Sequence, residues 1–433
     1  MASRGKPFWH AEAYGGPLWL QPNVLGKPRD EGRICYPEDI RYWNLTSYMH
    51  GARGTLYLRW RPLLDGPLFG AFGPYGMDGS RTSRSQMSKE IGEWIQADAQ
   101  RPLRASRPVK GEVGILFYPE GQLFTFAQQR DTNLYGDCYE GAYRGFFDNN
   151  IQADFVHIDD IDAWDFLYLP YPVMMPGETA ERLIRWVDAG GVLVSEGCPG
   201  YWGDRGHVGE HQPNLGLDEL FGTEQSYVEF TPDILDDLQL NVLGERTFGG
   251  CFLQTYTPTT GRAVGWYVDP AVNRSIRALE DDPTGAEPHV DRPGRDRPER
   301  DAPPIAAVEN RFGGGRTLLI GTMPGRGYMV HGGRREFFRR LFSFGRDVQY
   351  VTVSDPRIRA RMHDGPGGTY LWVANHTRAP VPVSVVVGYG SPPSVVQTVR
   401  GPDASIREGT IILTVPARDV TVLRLHGAAA ARA

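Results

Sequence analysis

The chain has few cysteines, no long apolar run and little excess charge. Its four cysteines, Cys35, Cys138, Cys198 and Cys251, are far apart and form no CxxC pair, which favours reduced and mostly buried thiols over a disulfide framework. No run of 18 apolar residues occurs, and the N-terminus has no apolar leader segment. The sequence therefore predicts a cytoplasmic protein without a membrane span.

Charge and histidine patterns exclude further classes of partner. The net charge is −6, and no basic stripe is interleaved with aromatic residues, so nucleic acid is not an expected partner. The ten histidines are dispersed, and the Gly-rich segments lack GxGxxG and GxxxxGK spacing. The sequence therefore predicts neither a bound metal nor a phosphate-bearing cofactor. A length of 433 residues suits two or three domains.

The first part of the chain alternates strands and helices. Residues 7–12 are predicted to form a strand, 37–49 a helix, 54–60 a second strand and 82–97 a second helix with apolar residues at helical spacing. Two β/α units cannot close a barrel, which takes roughly 250 residues. We therefore expect residues 1–107 to be an incomplete (β/α)8 barrel fragment whose sheet edges and helix faces need covering.

The rest of the chain changes character twice. Residues 108–347, after a predicted linker at 101–110, begin by alternating short apolar strands with amphipathic helices, which is typical of a doubly wound parallel α/β domain. Hairpin-like strands are predicted to follow around 226–231, 252–257 and 263–267, and then at 305–311 and 316–322 across Gly313-Gly314-Gly315. Within that domain, residues 280–304 are charged and Pro-rich, and they are predicted to be a disordered loop. Residues 348–433 contain short Val-rich strands separated by turn residues, which predict a small all-β sandwich.

Glu12 is the candidate catalytic residue. It ends the first predicted strand and is followed by a Gly-rich loop, the position at which barrel enzymes place catalytic groups. The surrounding residue types suit a sugar site, in which rings stack on a pyranose and Arg or His binds hydroxyls: Trp9, His10, Tyr14, Trp19, Arg59, Trp60 and Arg61. A retaining glycosidase needs a second carboxyl about 5–5.5 Å away. From the residues alone, an equal alternative is that Glu12 pairs with Arg59 or Arg61 and only stabilises the strand ends.

Three stretches resemble the family 42 glycoside hydrolases, the β-galactosidases. They are Phe8-Trp9-His10-Ala11-Glu12 with Trp19, His50-Gly51-Ala52-Arg53-Gly54, and Leu56-Tyr57-Leu58-Arg59-Trp60-Arg61. The stretches are similar to barrel strands seven and eight of that family. The following α/β domain, with Met174-Met175-Pro176 before its second helix, resembles the family's trimerisation domain, and a small β domain comes last.

The resemblance implies a retaining enzyme that cleaves terminal β-glycosides. Glu12 would be the nucleophile and Trp19 a wall of the sugar subsite, with Trp9 and Tyr14 as further substrate-binding residues. Arg59 and Arg61 would hold Glu12 ionised and oriented. The α/β domain would mediate a homotrimer.

The chain departs from the family pattern at its sugar site. The acid/base glutamate belongs to barrel strand four, to which no residue here corresponds, so a separate chain carrying the rest of the barrel is a possible partner. The family's Glu-x-x-His after strand eight is replaced by residues 66–72, and the spacing from Glu12 to Trp19 is one residue short. Asp65 and Asp78 in that loop could bind sugar hydroxyls, although loop aspartates usually cap turns.

Two alternatives stay open. One is a non-catalytic oligomerisation or carbohydrate-binding protein that lacks the rest of the barrel. A weaker one is an amidotransferase-like enzyme using Cys198, which follows a predicted parallel strand in Ser195-Glu196-Gly197-Cys198-Pro199. That chemistry needs a His base, and Pro199 lacks the N–H that an oxyanion hole would use. A buried structural cysteine is the favoured interpretation of Cys198.

Overall fold

The computed structural model describes residues 5–17, 35–66, 70–229, 238–268, 303–331 and 334–427. The chain divides into two compact units, one formed by residues 1–110 with 349–433 and the other by residues 111–348. The first and last segments, which the sequence predicts as separate domains, thus lie in the same unit. Trp19 and most of the predicted disordered loop at 280–304 lie outside the described residues.

The N-terminal segment of the first unit contains two parallel strands and their helices. Its elements are β1 (Phe8–Ala13), α1 (Pro37–Met49), β2 (Ala52–Tyr57), α2 (Ser83–Gln96), a 3-10 turn (Asp98–Gln100), α3 (Arg101–Ala105) and β3 (Arg107–Pro108). β1 and β2 pair in parallel, with Ala13 opposite Tyr57. The predicted helices at 37–49 and 82–97 are confirmed, because Pro at the start of α1 and the Thr82 cap of α2 define where they begin.

Polar side chains attach the two strands to the helices. The Asn44 amide of α1 donates to the Tyr57 hydroxyl at 2.8 Å, and Ser88 of α2 donates to the same hydroxyl at 3.0 Å. His10 of β1 lies 2.8 Å from the Ser47 hydroxyl of α1. These bonds fix which face of the two-stranded sheet the helices cover.

The prediction of a linker at residues 101–110 is wrong. Residues 101–105 are helical, with Leu103 buried, and β3 adds to a sheet of the C-terminal segment, with Pro108 opposite His363. The Ser106 hydroxyl lies 3.3 Å from Nδ1 of His363. Arg and Pro in this stretch resemble a linker in composition, but buried Leu103 and the strand pairing hold it in place.

The second unit is built on a sheet of nine strands. In chain order its elements are β4 (Val113–Phe117), α4 (Pro119–Gln129), α5 (Asn133–Asp148), β5 (Ala153–His157), a 3-10 turn (Ile158–Ala163), β6 (Phe166–Leu169), α6 (Gly177–Asp188), β7 (Val192–Ser195), a 3-10 turn (Asp204–Gly206), α7 (Leu217–Phe221), β8 (Thr223–Glu229), β9 (Gln239–Val242), β10 (Glu245–Phe248), β11 (Leu253–Pro258), β12 (Arg262–Tyr267), β13 (Ile305–Phe312), β14 (Gly315–Ile320), α8 (Pro324–Val330) and α9 (Arg335–Gly345). The sheet order is β10-β9-β12-β13-β14-β7-β6-β4-β5, and β8 pairs with β11 separately.

The predicted parallel sheet accounts for about half of these strands, and the predicted hairpin across Gly313-Gly314-Gly315 is confirmed. Strands β5, β4, β6, β7 and β14 are parallel neighbours, whereas β14, β13, β12, β9 and β10 pair antiparallel. The connection from β13 to β14 is the pair Gly313-Gly314, and Gly313 has a φ of +52°. A two-residue turn can join only antiparallel strands, so β13 and β14 form a hairpin, as β9 and β10 do across residues 243–244.

Helices cover both faces of the parallel half. One apolar core joins the sheet to α5 and α9 through residues such as Phe146 and Phe338, and another joins it to α6 and α7 through residues such as Trp186 and Leu220. Every residue of β6 is buried, as expected for a parallel strand with a core on each side. Helices α4 and α8 and the β9–β10 hairpin are not foreseen from the sequence.

The C-terminal segment of the first unit forms two antiparallel sheets around an apolar core. Its strands are β15 (Val351–Val353), β16 (Ile358–Asp364), β17 (Thr369–Asn375), β18 (Val381–Val387), β19 (Val395–Arg400), β20 (Ser405–Arg407), β21 (Thr410–Val415) and β22 (Asp419–His426). The sheet orders are β15-β18-β21-β20 and β19-β22-β17-β16-β3. On β17, Leu371 and Val373 face the core between the sheets, while Tyr370 and Trp372 pack with Leu45 of α1.

Candidate active site at the ends of β1 and β2

Glu12 lies just before the last residue of β1, at the edge where β2 also ends. His10 pairs with Thr55 and Ala13 pairs with Tyr57, so β1 has one residue more than β2 in this interval. The extra residue makes a bulge around Glu12, whose side chain is exposed. Bulges are frequent next to active sites because they redirect a side chain out of the regular alternation.

The face of this sheet that turns away from the helices is apolar and exposed. Thr55 faces α1 through its bond to Asn44, so by strand alternation Leu56 faces the other way. The side chains of Trp9 and Leu56 are 56% and 48% exposed. The Trp9 ring lies over Gly54, where a Cβ atom would come within 2.4 Å of it. In a closed barrel this face is the packed interior.

Arg59, Trp60 and Arg61 follow the end of β2, at the same edge as Glu12. Arg61 Nη1 donates to the Met77 carbonyl at 3.4 Å, and its guanidinium lies 5.7 Å from the centroid of the Trp60 ring. Among the described residues, no ion pair or hydrogen bond joins Glu12 to either arginine. Arg61 therefore steadies the loop around Trp60, and the ion pair weighed in the sequence analysis is not formed between these residues.

The loops after β1 and β2 pack against each other. Tyr14 lies against Phe72, with ring centroids 6.1 Å apart. A Cβ atom on Gly16 would come within 2.4 Å of the Gly70 carbonyl oxygen, so only glycine allows this approach of the two backbones. Of the predicted aromatic residues, the structure thus brings Tyr14 to the loop after β2 and Trp9 onto β2 itself.

Trp60 and the loop aspartates have clear local surroundings. The Trp60 ring meets Tyr75 edge-on at 5.6 Å and lies against Gly79. Asp78 accepts a hydrogen bond from the Ser80 backbone N–H at 2.9 Å, and hydrogen bonding to the Ser80 side chain, together with this backbone bond, lowers the pKa of the Asp78 carboxyl. Asp78 therefore caps a turn, and Asp65 is exposed on the preceding loop.

Cys198 lacks the surroundings of a catalytic cysteine. Its side chain is fully buried, and burial alone raises the pKa of the thiol far above its usual range. Its backbone N–H donates to the Gln254 side chain at 2.8 Å. Since the thiolate is the nucleophile, a buried thiol of raised pKa is inert, and the favoured interpretation of a structural cysteine fits this geometry.

Glu196 is a buried carboxylate that sequence reasoning did not single out. Its Oε1 accepts from the Gly325 N–H at 2.7 Å and the Tyr168 hydroxyl at 2.8 Å, and its Oε2 accepts from the Tyr171 N–H at 2.9 Å. Burial raises the pKa of Glu196 to about 7 despite these bonds. A charged residue directly after the buried strand β7 is the signal that could have identified it. Its bonds tie the ends of β6 and β7 to the start of α8.

Among the residues that the structure describes, no group of three or more His, Cys, Asp or Glu side chains is arranged to hold a metal ion. No helix in the part of the chain that the structure covers is long and apolar enough to cross a membrane.

Comparison with known proteins places this geometry in context. Residues 111–277 match the family model of the β-galactosidase trimerisation domain. The structure is similar to a β-galactosidase from Bacillus circulans sp. alkalophilus (TM-score 0.71, 17% identity, 97% of this chain and 56% of that one). It is also similar to a catalytic mutant of a GH42 β-galactosidase from G. stearothermophilus (0.67, 18%, 91% and 51%). A third is the β-galactosidase from the haloarchaeon Halorubrum lacusprofundi (0.66, 18%, 99% and 54%).

The coverage of these matches is uneven. The chain spans about half the length of each of the three solved structures while nearly all of its own residues are matched. No curated protein matches the sequence. The resemblance drawn from the motifs is confirmed: residues 111–277 match the model of the β-galactosidase trimerisation domain, and the chain shares the fold of the GH42 β-galactosidases.

Proposed function

We propose that this chain supplies the nucleophile half of a retaining β-glycosidase site that acts on terminal β-galactosides. The observation that carries the proposal is the position of Glu12, exposed on a bulge at the edge shared by β1 and β2, in a fold shared with GH42 β-galactosidases. Glu12 would attack the anomeric carbon while the glycosidic bond breaks, and the aglycone would leave with a proton from the second carboxyl. Water, which gives a proton to that same group, would then hydrolyse the glycosyl-enzyme, release the sugar and free Glu12.

The second carboxyl of the pair comes from sequence outside residues 1–433. We propose that β1, α1, β2 and α2 are the last two units of a (β/α)8 barrel, and that six further units complete it from the same polypeptide or from a separate chain. The exposed apolar face of Trp9 and Leu56 supports this, because a barrel interior is packed with side chains. The span of about half the length of the similar structures supports it as well.

The other site residues take their roles from the same arrangement. Trp9, Tyr14 and Trp19 would present their rings to the sugar. Away from the site, the two C-terminal sheets would form the β-sandwich predicted from the sequence. Arg59 and Arg61 would hold Glu12 ionised once the barrel is closed, since attraction between opposite charges strengthens when water is excluded.

A mechanism-based label tests the nucleophile. The folded chain, alone and with the segment that completes the barrel, is incubated with a 2-deoxy-2-fluoro-β-galactoside carrying a dinitrophenolate leaving group that needs no acid. The expected result is a covalent sugar on the peptide containing Glu12, lost in Glu12→Gln and kept in Asp78→Asn, a matched exposed carboxylate. Folded protein that gains no label and releases no dinitrophenolate in either state contradicts the proposal.

A non-catalytic carbohydrate-binding function is the second candidate. It is favoured by one observation: Glu12 has no hydrogen-bond or ion-pair partner among the described residues, so nothing there holds it for attack. Calorimetric titration with galactose separates the two candidates. Binding of galactose without turnover of the activated substrate in the completed barrel favours this second function.

Assembly and location complete the proposal. We propose that residues 111–277 join copies of this chain into a homo-oligomer, a trimer in keeping with the matched family model. We also propose that the protein works in the cytoplasm. No disulfide joins cysteines within the part of the chain that the structure describes, which supports a reducing compartment, and cell fractionation tests the location.

A further inference from the structure

Helix α4 has its apolar and small residues on unexpected faces. It buries Gly121 and Thr125, whereas the side chains of Leu123 and Phe126 are 68% and 57% exposed. A surface helix of a globular protein normally turns its large apolar side chains to the core and its small or polar ones to solvent. In α4 this arrangement is reversed, so its outward face is the one suited to burial.

The contacts beneath α4 show why the helix keeps this orientation. Gly121 lies directly on the buried Tyr118 ring, where a Cβ atom would come within 3.0 Å. The buried Thr125 hydroxyl has a hydrogen-bond acceptor within the helix, the Gly121 carbonyl at 2.8 Å. A Leu or Phe side chain is far larger than the hydrogen atom of Gly121, and there is no space for it against the Tyr118 ring. A rotation of α4 therefore would not bury Leu123 and Phe126 against this surface.

The exposed patch continues beyond the helix. Phe124 of α4 packs on Trp202 with ring centroids 5.3 Å apart, and a Cβ atom on Gly206 would lie 3.4 Å from the Phe124 ring. Val208, two residues further on, is 53% exposed. We call Leu123, Phe126 and Val208 the α4 face. Among residues 119–129 only Glu120 is charged, and depletion of charge with enrichment of Phe is the composition of an interface core.

We infer that the α4 face docks a second copy of this chain. The inference rests on the proposed homo-oligomer, because all three residues lie in the segment 111–277 that matches a trimerisation domain. In a ring of three copies each interface is heterologous, so the α4 face meets a different surface on the next copy and each copy uses it once. An exposed apolar patch is costly to leave in water, and a partner that is always present accounts for it.

Charge placed on the α4 face tests the inference. Wild-type chain and the double variant Leu123→Glu/Phe126→Glu are compared by sedimentation velocity at several concentrations. We expect an oligomer for the wild type and loss of the oligomer to single chains for the variant, with unchanged circular dichroism. The matched control is Val386→Glu, a half-exposed valine on β18 in the other unit, which should keep the oligomer.

Each result has a distinct meaning. If the variant is folded and keeps the wild-type mass, the α4 face is not the interface, while the proposed homo-oligomer stands. If the wild type is a single chain at every concentration, the proposed homo-oligomer fails and the inference with it. Should the variant not fold, hydroxyl-radical footprinting of the wild type decides. Protection of Leu123 and Phe126 relative to Val386 supports the inference, and equal oxidation overturns it.

Discussion

Two parallel β/α arrangements in this chain are covered very differently. In the second unit, β6 and β7 lie between two apolar cores, and Leu193 on β7 is fully buried. In the first unit, the described helices α1 and α2 cover one face of β1 and β2, and Leu56 on the other face is half exposed. A parallel sheet is normally covered on both faces, because its connections place helices there. The parallel strands of the nine-stranded sheet are therefore buried on both faces within their own unit, whereas the β1–β2 sheet is buried on the face toward α1 and α2 and exposes apolar side chains on the other.

The largest difference in stability between the two regions is expected for alanine substitutions of two matched leucines, one buried and one exposed. Leu193→Ala should reduce the free energy of unfolding of the second unit by about 2–5 kcal/mol, because it leaves a cavity in a packed core. Leu56→Ala should cost the first unit about 0.5 kcal/mol or less, since its side chain is largely in water. Urea denaturation read by hydrogen exchange of each unit's peptides measures both. An equally large loss for Leu56→Ala would show that the exposed face is covered in solution.

The second-largest difference is expected between glycine-to-alanine substitutions in a helix of each unit, which should change the free energy of unfolding in opposite directions. In α5, a Cβ atom on Gly141 would lie 1.8 Å from the Gly325 carbonyl oxygen of α8, so Gly141→Ala should destabilise the second unit by about 1–3 kcal/mol. In α2, Gly92 has open space around it, and Gly92→Ala should stabilise the first unit by about 0.5–1 kcal/mol through helix propensity. Thermal unfolding of the two variants checks the opposite signs. A gain in melting temperature for Gly141→Ala would refute the close packing.

The two units should respond to pH in opposite directions. Burial, with the nearby charges of Arg361 and Arg53, lowers the pKa of His50 to about 4 and that of His363 to about 3. The unfolded chain binds protons at these histidines below the ordinary value of 6.5, so their stabilising contribution is present above pH 6.5 and is lost as pH falls towards 4. Glu196 keeps its proton up to about pH 7, so its contribution is lost as pH rises from 4.5 through 7.

Hydrogen exchange at a series of pH values between 4.5 and 7, corrected for intrinsic rates, measures this difference. Each group contributes on the order of 1 kcal/mol per pH unit within its window. The control is Glu196→Gln, which should flatten the slope of the second unit only. Parallel slopes in the two units would contradict the assigned proton uptake.

The smallest difference in stability between the two units is expected when one exposed ion pair is removed from a helix of each. Lys89 and Glu93 on α2 are 3.6 Å apart, and Glu140 and Arg144 on α5 are 2.5 Å apart, all well exposed. Glu93→Gln and Glu140→Gln should each cost about 0.2–0.5 kcal/mol, slightly more for Glu140 because an acid four residues before a base suits the helix dipole. Chemical denaturation in low and high salt checks this. A cost above about 1 kcal/mol for either would mean that the pair is buried in an assembly.

Periodic segments were predictable because their burial follows a simple pattern. The strand ending near Glu12 and the helices at 37–49 and 82–97 all appear close to the predicted bounds. Helix α4 was missed because it buries Gly121 and exposes Leu123, the reverse of the pattern that identifies a surface helix. The hairpin of β13 and β14 was predictable from the glycines between its two strands.

The candidate site was predictable in its position and less so in its contacts. A carboxylate at the end of a strand and Arg-Trp-Arg at the end of the next one were expected at one edge, and the register of β1 and β2 places both ends there. The bulge around Glu12 and the bond from Arg61 to Met77 were not expected, since both depend on the exact register and on a loop distant in sequence. Glu196 was not expected as a buried group, because the chain gives no sign of the three donors that surround it.

The sequence by itself determined the strongly periodic strands and helices, such as the helices at 37–49 and 82–97, and the family resemblance carried by Glu12 and its neighbours. Those properties depend on local periodicity and on residue types at the ends of strands. Tertiary structure decided that residues 101–110 join a C-terminal sheet, that one face of β1–β2 is exposed, and that α4 turns Leu123 and Phe126 to solvent. Each of these depends on contacts between residues far apart in the chain, which no local pattern specifies.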